Sequence, residues 1–186
     1  WGRETFSHPR AVAHHRLVPE AVHAEGGHVC LQILHTGRYA YHAKSVAPSA
    51  IRAPISRHTP FALTERGIRR QIAAFAKTTA LAREAGYDGV EIMGSEGYLI
   101  TEFTSARTNT RSDRWGGSFD NRMRFPLEIV RRTREALGRD FLLTFRLSAL
   151  DLIEGGLTGD EIIAQARLLQ AAGVDLFDTG IGWHEA

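Results

Sequence analysis

Apolar positions along the chain recur at helical spacing and then in short continuous runs, and the two patterns alternate. Pro9 to Glu25 carries Val12, Leu17, Val18, Ala21 and Val22 among His and Arg and stops at Gly26-Gly27, which predicts a helix ended by glycine. Val29 to Leu34 follows as an apolar run broken only by Gln32, the pattern of a strand covered on both faces. Residues 35–62 are polar and hold Pro48, Pro54 and Pro60, which predicts a small flap over the strand ends. Thr64 can cap a helix in which Ile68, Ile72, Phe75, Ala76, Thr79, Ala82 and Ala85 share one face before Gly86. Val90 to Met93 is the next strand. A helix is predicted from Asn121, with Met123, Leu127, Val130, Thr133 and Leu137 inward and Gly138 after it, followed by a strand over Phe141 to Leu147. Thr158 and Glu161 form a capping box before a helix that turns Ile162, Ala166, Leu169 and Ala172 inward, and Asp175 to Thr179 is the last strand.

Strands and helices in strict alternation predict an α/β fold with parallel strands joined by right-handed crossovers. LAREAGYDGVEIMG (81–94) and LLQAAGVDLFDTG (168–180) repeat one joint: helix, Ala-Gly, any residue, Asp, apolar strand. Repeated units with long loops after the strands favour a TIM (β/α)8 barrel over a doubly wound sheet, and neither a GxGxxG fingerprint nor a P-loop supports the latter. The chain covers about four central βα units of the eight that close such a barrel. It opens on Trp1 and stops at Ala186 just after a strand, so residues 1–186 read as a partial barrel domain truncated at both ends.

The connection after Val90 to Met93 differs from the others. It runs through four glycines and Tyr98, which is expected to be buried, before any helix begins. Connections this long in compact α/β units are uncommon and usually functional, and loops at the carboxyl ends of strands are where such folds place chemistry.

Composition narrows the function. At 186 residues, 43% hydrophobic and 24% charged, the chain is ordinary for one soluble domain with a core. No run approaches the roughly 18 apolar residues of a membrane span, and a cytoplasmic location is expected. The net charge is +2, and the basic residues are 21 Arg and two Lys scattered along helices, so neither nucleic acid nor membrane is an expected partner. An Arg-rich surface favours a phosphorylated ligand or is simply solvated. The lone Cys30, inside VCLQI, excludes an intrachain disulfide and is expected to be buried and inert.

ILHTGRYAYH (33–42), GVEIMGSEGYLITEF (89–103), RTNTRSDRWGGSFDNRMRF (107–125), FRLS (145–148) and DTGIGWHEA (178–186) together resemble the flavin-dependent Old Yellow Enzyme family. Within it they are most similar to the barrel of the bacterial NADPH-dependent 2,4-dienoyl-CoA reductases. The resemblance implies an FMN-binding barrel that reduces a conjugated C=C bond of an acyl-CoA in the β-oxidation of unsaturated acyl chains. By the same resemblance Gln32 matches the residue that hydrogen-bonds the flavin pyrimidine edge, for which an amide offers donor and acceptor. Arg146 matches the cation beside flavin N1 and O2, where a fixed charge stabilises the reduced ring; a structural ion pair is the plain alternative. Tyr98 matches the proton donor, His184 the partner that resupplies it, and Glu96 is expected to orient the pair. His35, Thr36, Gly37 and Arg38 read as scaffold, and Asp113, Trp115, Gly116, Gly117 and Asn121 as the brace of the long loop.

One departure sets the subfamily. Typical members carry His-Gly-x-His-Gly-Tyr or His-Gly-x-Asn-Gly-Tyr at this loop, the first and fourth residues holding the substrate carbonyl, whereas here those positions are Met93 and Glu96. Neither can donate that pair of hydrogen bonds, so small enones are expected to be poor substrates. In the full enzyme the resemblance implies further FMN contacts, a 4Fe-4S cluster, FAD and NADPH, all bound outside this stretch. Three other functions compete: another ene-reductase of the Old Yellow Enzyme type; an amine-oxidising flavin barrel of the trimethylamine dehydrogenase kind, which would need an aromatic bowl where the loop offers Tyr98 and Trp115; and a non-catalytic binding module.

Overall fold

The computed structural model describes residues 6–186. Helix α1 (Val12–Ala24) is followed by β1 (Cys30–Ile33), a flap holding the two-residue strands β2 (Val46–Ala47) and β3 (Phe61–Ala62), and α2 (Glu65–Ala85). Then come β4 (Gly89–Gly94), α3 (Leu99–Thr104), α4 (Phe119–Leu137), β5 (Leu142–Leu150), α5 (Gly159–Ala172) and β6 (Leu176–Ile181). β1, β4, β5 and β6 form one parallel sheet in which spatial order equals chain order. That order separates the two candidate folds, because a doubly wound sheet starts in its middle and reverses, whereas a barrel adds each strand on the same side. α1, α2, α4 and α5 each pack on the next in one outer layer. The fold is a sector of a TIM (β/α)8 barrel.

Alternation along the strands explains the two faces. Val90, Ile92, Leu143, Phe145 and Leu147 are buried, as are Ile68, Ile72, Phe75 and Thr79 of α2 and Met123, Val130 and Thr133 of α4. The register places Gln32 beside Glu91 and Glu91 beside Thr144, with Met93, Arg146 and Asp178 in the next row, so the concave face is largely polar. Among the described residues β1 is an edge strand, and Cys30, Gln32 and Leu34 are exposed. The strand is thus covered on one face rather than two, and Cys30 is exposed rather than buried. Partial burial and the Asp88 and Glu91 carboxylates push its thiol pKa up, which keeps it unreactive by another route.

Three further expectations change. In α1, Leu17, Val18 and Ala21 are exposed, and Val12 and Pro19 are its buried residues, because this helix ends the outer layer and has one neighbour. α4 starts at Phe119, two residues before the predicted Asn121, since the Ser118 hydroxyl accepts the Asn121 N–H and is the real cap. α3 was not predicted: all six of its residues are buried, so it carries no amphipathic period. The capping box at Thr158 and Glu161 forms as expected. No helix among the described residues is long and apolar enough to cross a membrane.

The internal repeat is one hydrogen-bonded joint used twice. Asp88 donates its N–H to the Val29 carbonyl (3.0 Å) and accepts the Val29 N–H on its carboxylate (2.7 Å). Asp175 does the same with Leu143, at 2.9 and 2.8 Å. Each aspartate therefore aligns a new strand on the preceding one, just after a helix ended by a left-handed glycine, Gly86 or Gly173.

At the other end of β1, the turn over residues 35–38 is anchored on α3. His35 Nδ1 accepts the Gly37 N–H at 3.0 Å, and Glu102 Oε1 accepts the Arg38 N–H at 2.8 Å. Gly37 has φ +56°, and a Cβ there would strike the Glu102 carboxylate. Burial pushes the fully buried Glu102 carboxyl well above the usual range, outweighing the Arg38 N–H and charge.

Two outcomes test this architecture in the intact protein. Asp175→Ala leaves the Leu143 N–H without its carboxylate and is expected to cost about 1–3 kcal/mol in urea melts. Burial lowers the His35 imidazole to about 4. Between pH about 6.5 and about 4 the unfolded chain then binds a proton that the folded chain excludes, so this contribution is complete above pH 6.5 and is lost on acidification. The stability difference between wild type and His35→Gln should change by up to about 3 kcal/mol from pH 7 to pH 4, and a pH-independent difference would show that His35 is not held neutral.

Candidate active site

Of the predicted residues, Glu96, Tyr98 and His184 lie beyond the carboxyl ends of β4 and β6, Arg146 lies mid-strand on β5, and Gln32 lies on β1. After Gly94 the chain reverses through Glu96 (φ 63°) and Gly97 (φ 83°) into α3, whose N-cap is Tyr98. A left-handed glutamate is uncommon and is held from three sides. Its carbonyl accepts the His184 N–H at 3.4 Å, its Oε1 lies 3.1 Å from Arg146 Nε and 3.0 Å from Nη2, and its Oε2 lies 3.7 Å from His184 Nε2. Gly180 makes room, since a Cβ there would approach Ser95 Oγ to 2.6 Å and Glu96 Oε1 to 2.9 Å.

Tyr98 and His184 meet directly. The phenol oxygen lies 2.7 Å from His184 Nε2, with the rings 5.0 Å apart and tilted by 69°. Partial burial, the Glu96 charge and Tyr41 raise the Tyr98 pKa, so the phenol stays protonated at neutral pH. Tyr98 is half-buried rather than buried, with its hydroxyl on a cleft of about 590 Å³ lined by Tyr39, Tyr41, Ile55, Arg57 and His184. Ile55 and Arg57 belong to the flap, which covers that side as expected.

Arg146 extends the line inward. Its Nη1 pairs with Asp178 on β6, so Tyr98, His184, Glu96, Arg146 and Asp178 form one continuous chain of contacts. Gln32 is not part of it; it sits two strands away, exposed, donating to Glu91 Oε1 at 2.6 Å. Met93 is buried and its thioether takes the Ser95 hydroxyl at 3.7 Å.

A group of residues packed behind Tyr98 and His184 was not anticipated from sequence. Arg38 forms an ion pair with Glu185, both side chains nearly inaccessible, and its guanidinium lies 5.7 Å from the Tyr39 and Trp183 ring centres. Tyr39 stacks edge-on against both Tyr98 and His184, at 5.9 and 5.7 Å. Burial, with the Glu185 charge, pushes the Tyr39 hydroxyl far above its ordinary value despite Arg38. Gly97 is required here, because its Cβ would enter the Tyr39 hydroxyl and the Trp183 ring. Arg38 is therefore more than turn scaffold: it locks the segment carrying His184.

The long loop is braced away from the cleft. Asn109 Nδ2 donates to the Phe103 and Trp115 carbonyls, both at 2.7 Å, and Asp113 Oδ1 accepts the Trp115 N–H at 3.1 Å. Trp115 is buried and its Nε1 donates to Glu65, so it faces α2 and leaves the aromatic lining of the cleft to three tyrosines.

Comparison with known proteins shows the family to which this fold belongs. The chain is 39% identical over 189 residues to a metal reductase of Desulforamulus reducens, covering 100% of this chain and 28% of the relative. It is 41% identical to an NADH oxidase of Thermoanaerobacter brockii, covering 90% of this chain and 26% of the relative. A solved 2-naphthoyl-CoA reductase in complex with 2-naphthoyl-CoA superposes with a TM-score of 0.93 at 36% identity, over 100% of this chain and 31% of that one. The chain thus spans roughly a quarter to a third of these proteins. With residues 6–186 matched throughout, the chain belongs to the NADH:flavin oxidoreductase / NADH oxidase family.

Proposed function

We infer that the intact protein is an FMN-dependent oxidoreductase that uses NADPH to reduce a conjugated C=C bond of a 2,4-dienoyl-CoA, with Tyr98 as the proton donor. The 2.7 Å contact between Tyr98 and His184 at the cleft carries this reading. The similarity to a reductase solved with an aryl-CoA supports a conjugated thioester as substrate class. The loop supports it too, because Glu96 is bound to Arg146 and Met93 to Ser95, which leaves neither to grip a small enone carbonyl.

The donor set fits FMN. Gln32 and Arg146 present an amide and a guanidinium to the concave face across two inter-strand spacings, about 10 Å, and neither is buried. Such donors suit the polar pyrimidine edge of a flavin. When bound, FMN would supply the hydride. A 4Fe-4S cluster, FAD and NADPH would bind outside residues 6–186 in the intact protein, the lone Cys30 being unable to hold a cluster.

The proton side follows from the residues present. Tyr98 keeps its proton until negative charge develops on a carbon beside it, since its pKa is raised. His184 is 44% exposed, so its imidazole can exchange with solvent and return a proton to the phenolate oxygen through the 2.7 Å contact. Glu96 and the Arg38–Glu185 pair hold the imidazole in place.

Single-turnover reoxidation of the reduced flavin by a 2,4-dienoyl-CoA tests the assignment. Tyr98→Phe should slow it by roughly 10²- to 10⁴-fold while reduction by NADPH stays normal. His184→Ala should lose a similar factor, and the double variant should be little worse than either single one, because the two act as a unit. Wild-type rates in Tyr98→Phe would remove it as the acid, and rapid flavin reduction by a tertiary amine would favour the amine-oxidising alternative that the three tyrosines allow.

Arg146→Leu addresses the cofactor side. Loss of the cation should lower flavin content and the flavin midpoint potential, by an amount on the order of a few kcal/mol. An unchanged midpoint in a redox titration would make Arg146 solely the counter-charge of Glu96 and Asp178.

A further inference from the structure

At the opposite, amino-terminal end of the strands, α1 and two turns converge on Asp88. His23, in the last turn of α1, places Nε2 2.9 Å from Asp88 Oδ2, and His28, just beyond the left-handed Gly26, places Nδ1 3.1 Å from Oδ1. One ligand atom from each of the three side chains lies within 4.8 Å of the others. All three are open to solvent, at 41%, 84% and 29% exposure for His23, His28 and Asp88.

The duplicated joint shows what is unusual here. Asp175 clamps its strand in the same way, and its carboxylate then takes a permanent cation, Arg134 Nη2 at 2.6 Å. Asp88 faces two imidazoles instead, one at each oxygen. Unlike a guanidinium, a neutral imidazole carries a lone pair as well as an N–H, so this copy of the joint brings two nitrogen ligands and a carboxylate within 4.8 Å of one another. Separations of 2.9 and 3.1 Å are also close to the edge of about 3.3 Å expected for ligands around an ion with Zn–N and Zn–O bonds of about 2.0–2.1 Å.

We propose that His23, His28 and Asp88 bind a divalent transition-metal ion, Zn²⁺ or Ni²⁺, with water completing its coordination. Imidazole nitrogens select such ions over Mg²⁺ and Ca²⁺, which take oxygen ligands. The ion would join the end of α1, the approach to β1 and the approach to β4. It would thereby fasten a helix whose buried residues are Val12 and Pro19. The site lies at the end of the barrel away from the cleft, so it would serve stability and leave turnover unchanged.

The test uses the intact protein freed of adventitious metal and titrated with ZnCl₂ by calorimetry and thermal melting. Wild type, His23→Ala, His28→Ala and the double variant are compared, with Asp88 kept so that the β1 clamp survives. Wild type should bind one more Zn²⁺ than the double variant, and each single variant should bind at least tenfold more weakly. Zinc should raise the melting temperature of wild type most and leave that of the double variant unchanged, Mg²⁺ should have no effect, and the variants should melt near wild type without metal, which confirms that they fold. Co²⁺ should give a visible absorption band in wild type that is missing in the double variant. Equal zinc stoichiometry and affinity in wild type and double variant, or no zinc-dependent shift in melting temperature up to about 1 mM, would overturn the proposal and leave the imidazoles as hydrogen-bond partners of Asp88.

Discussion

The Glu96 carboxylate sits where three strand ends meet, and the site is built around keeping it there. Its backbone is left-handed, a conformation that a residue with a Cβ adopts at some cost. Arg146 on β5 and the His184 N–H beyond β6 supply the interactions that offset it. With Glu96 so held, the following glycine turns Tyr98 onto His184. An electrostatic contact between neighbouring strands thus helps to hold Tyr98 against His184, the two groups proposed for proton transfer.

The barrel makes this arrangement possible by sorting side chains by parity. Odd and even positions along each strand face opposite ways, so apolar residues such as Val90, Ile92, Leu143 and Phe145 enter the core beneath the helices, while Glu91, Arg146 and Asp178 stand on the concave side. Arg146 is placed mid-strand because two carboxylates and partial solvent access offset its desolvation. Behind the cleft, Arg38 performs a different task under full burial: it ties Glu185 to the turn after β1 and so fixes the last loop against the first.

At the far end of the strands the two aspartate joints show how one device is reused with different surroundings. Asp88 and Asp175 each accept, on a carboxylate oxygen, an N–H at the start of the preceding strand. What differs is the remaining partner, an arginine in one case and two histidines in the other, and that difference carries chemistry the backbone geometry does not need.

Much of this was legible in the amino acids alone. The alternation of periods, the helix-ending glycines, the capping box and the repeated Ala-Gly-x-Asp joint depend on contacts within a few residues, and their physics is local; they specified the α/β order, the barrel and the inward faces of α2 and α4. The long connection after Met93 also declared itself, because its length, its glycines and Tyr98 have no use in a simple connection. What sequence could not decide was anything settled by neighbours distant in the chain. Cys30 is exposed because, among the described residues, β1 lies at the sheet edge; α3 forms because its surroundings bury it on every side. Asp178 meets Arg146 through strand register, and Tyr39, Arg38 and Glu185 gather behind His184 because the first and last loops close over the same end of the sheet. Those pairings span 32 to 147 residues, and only the folded sheet brings such positions within reach.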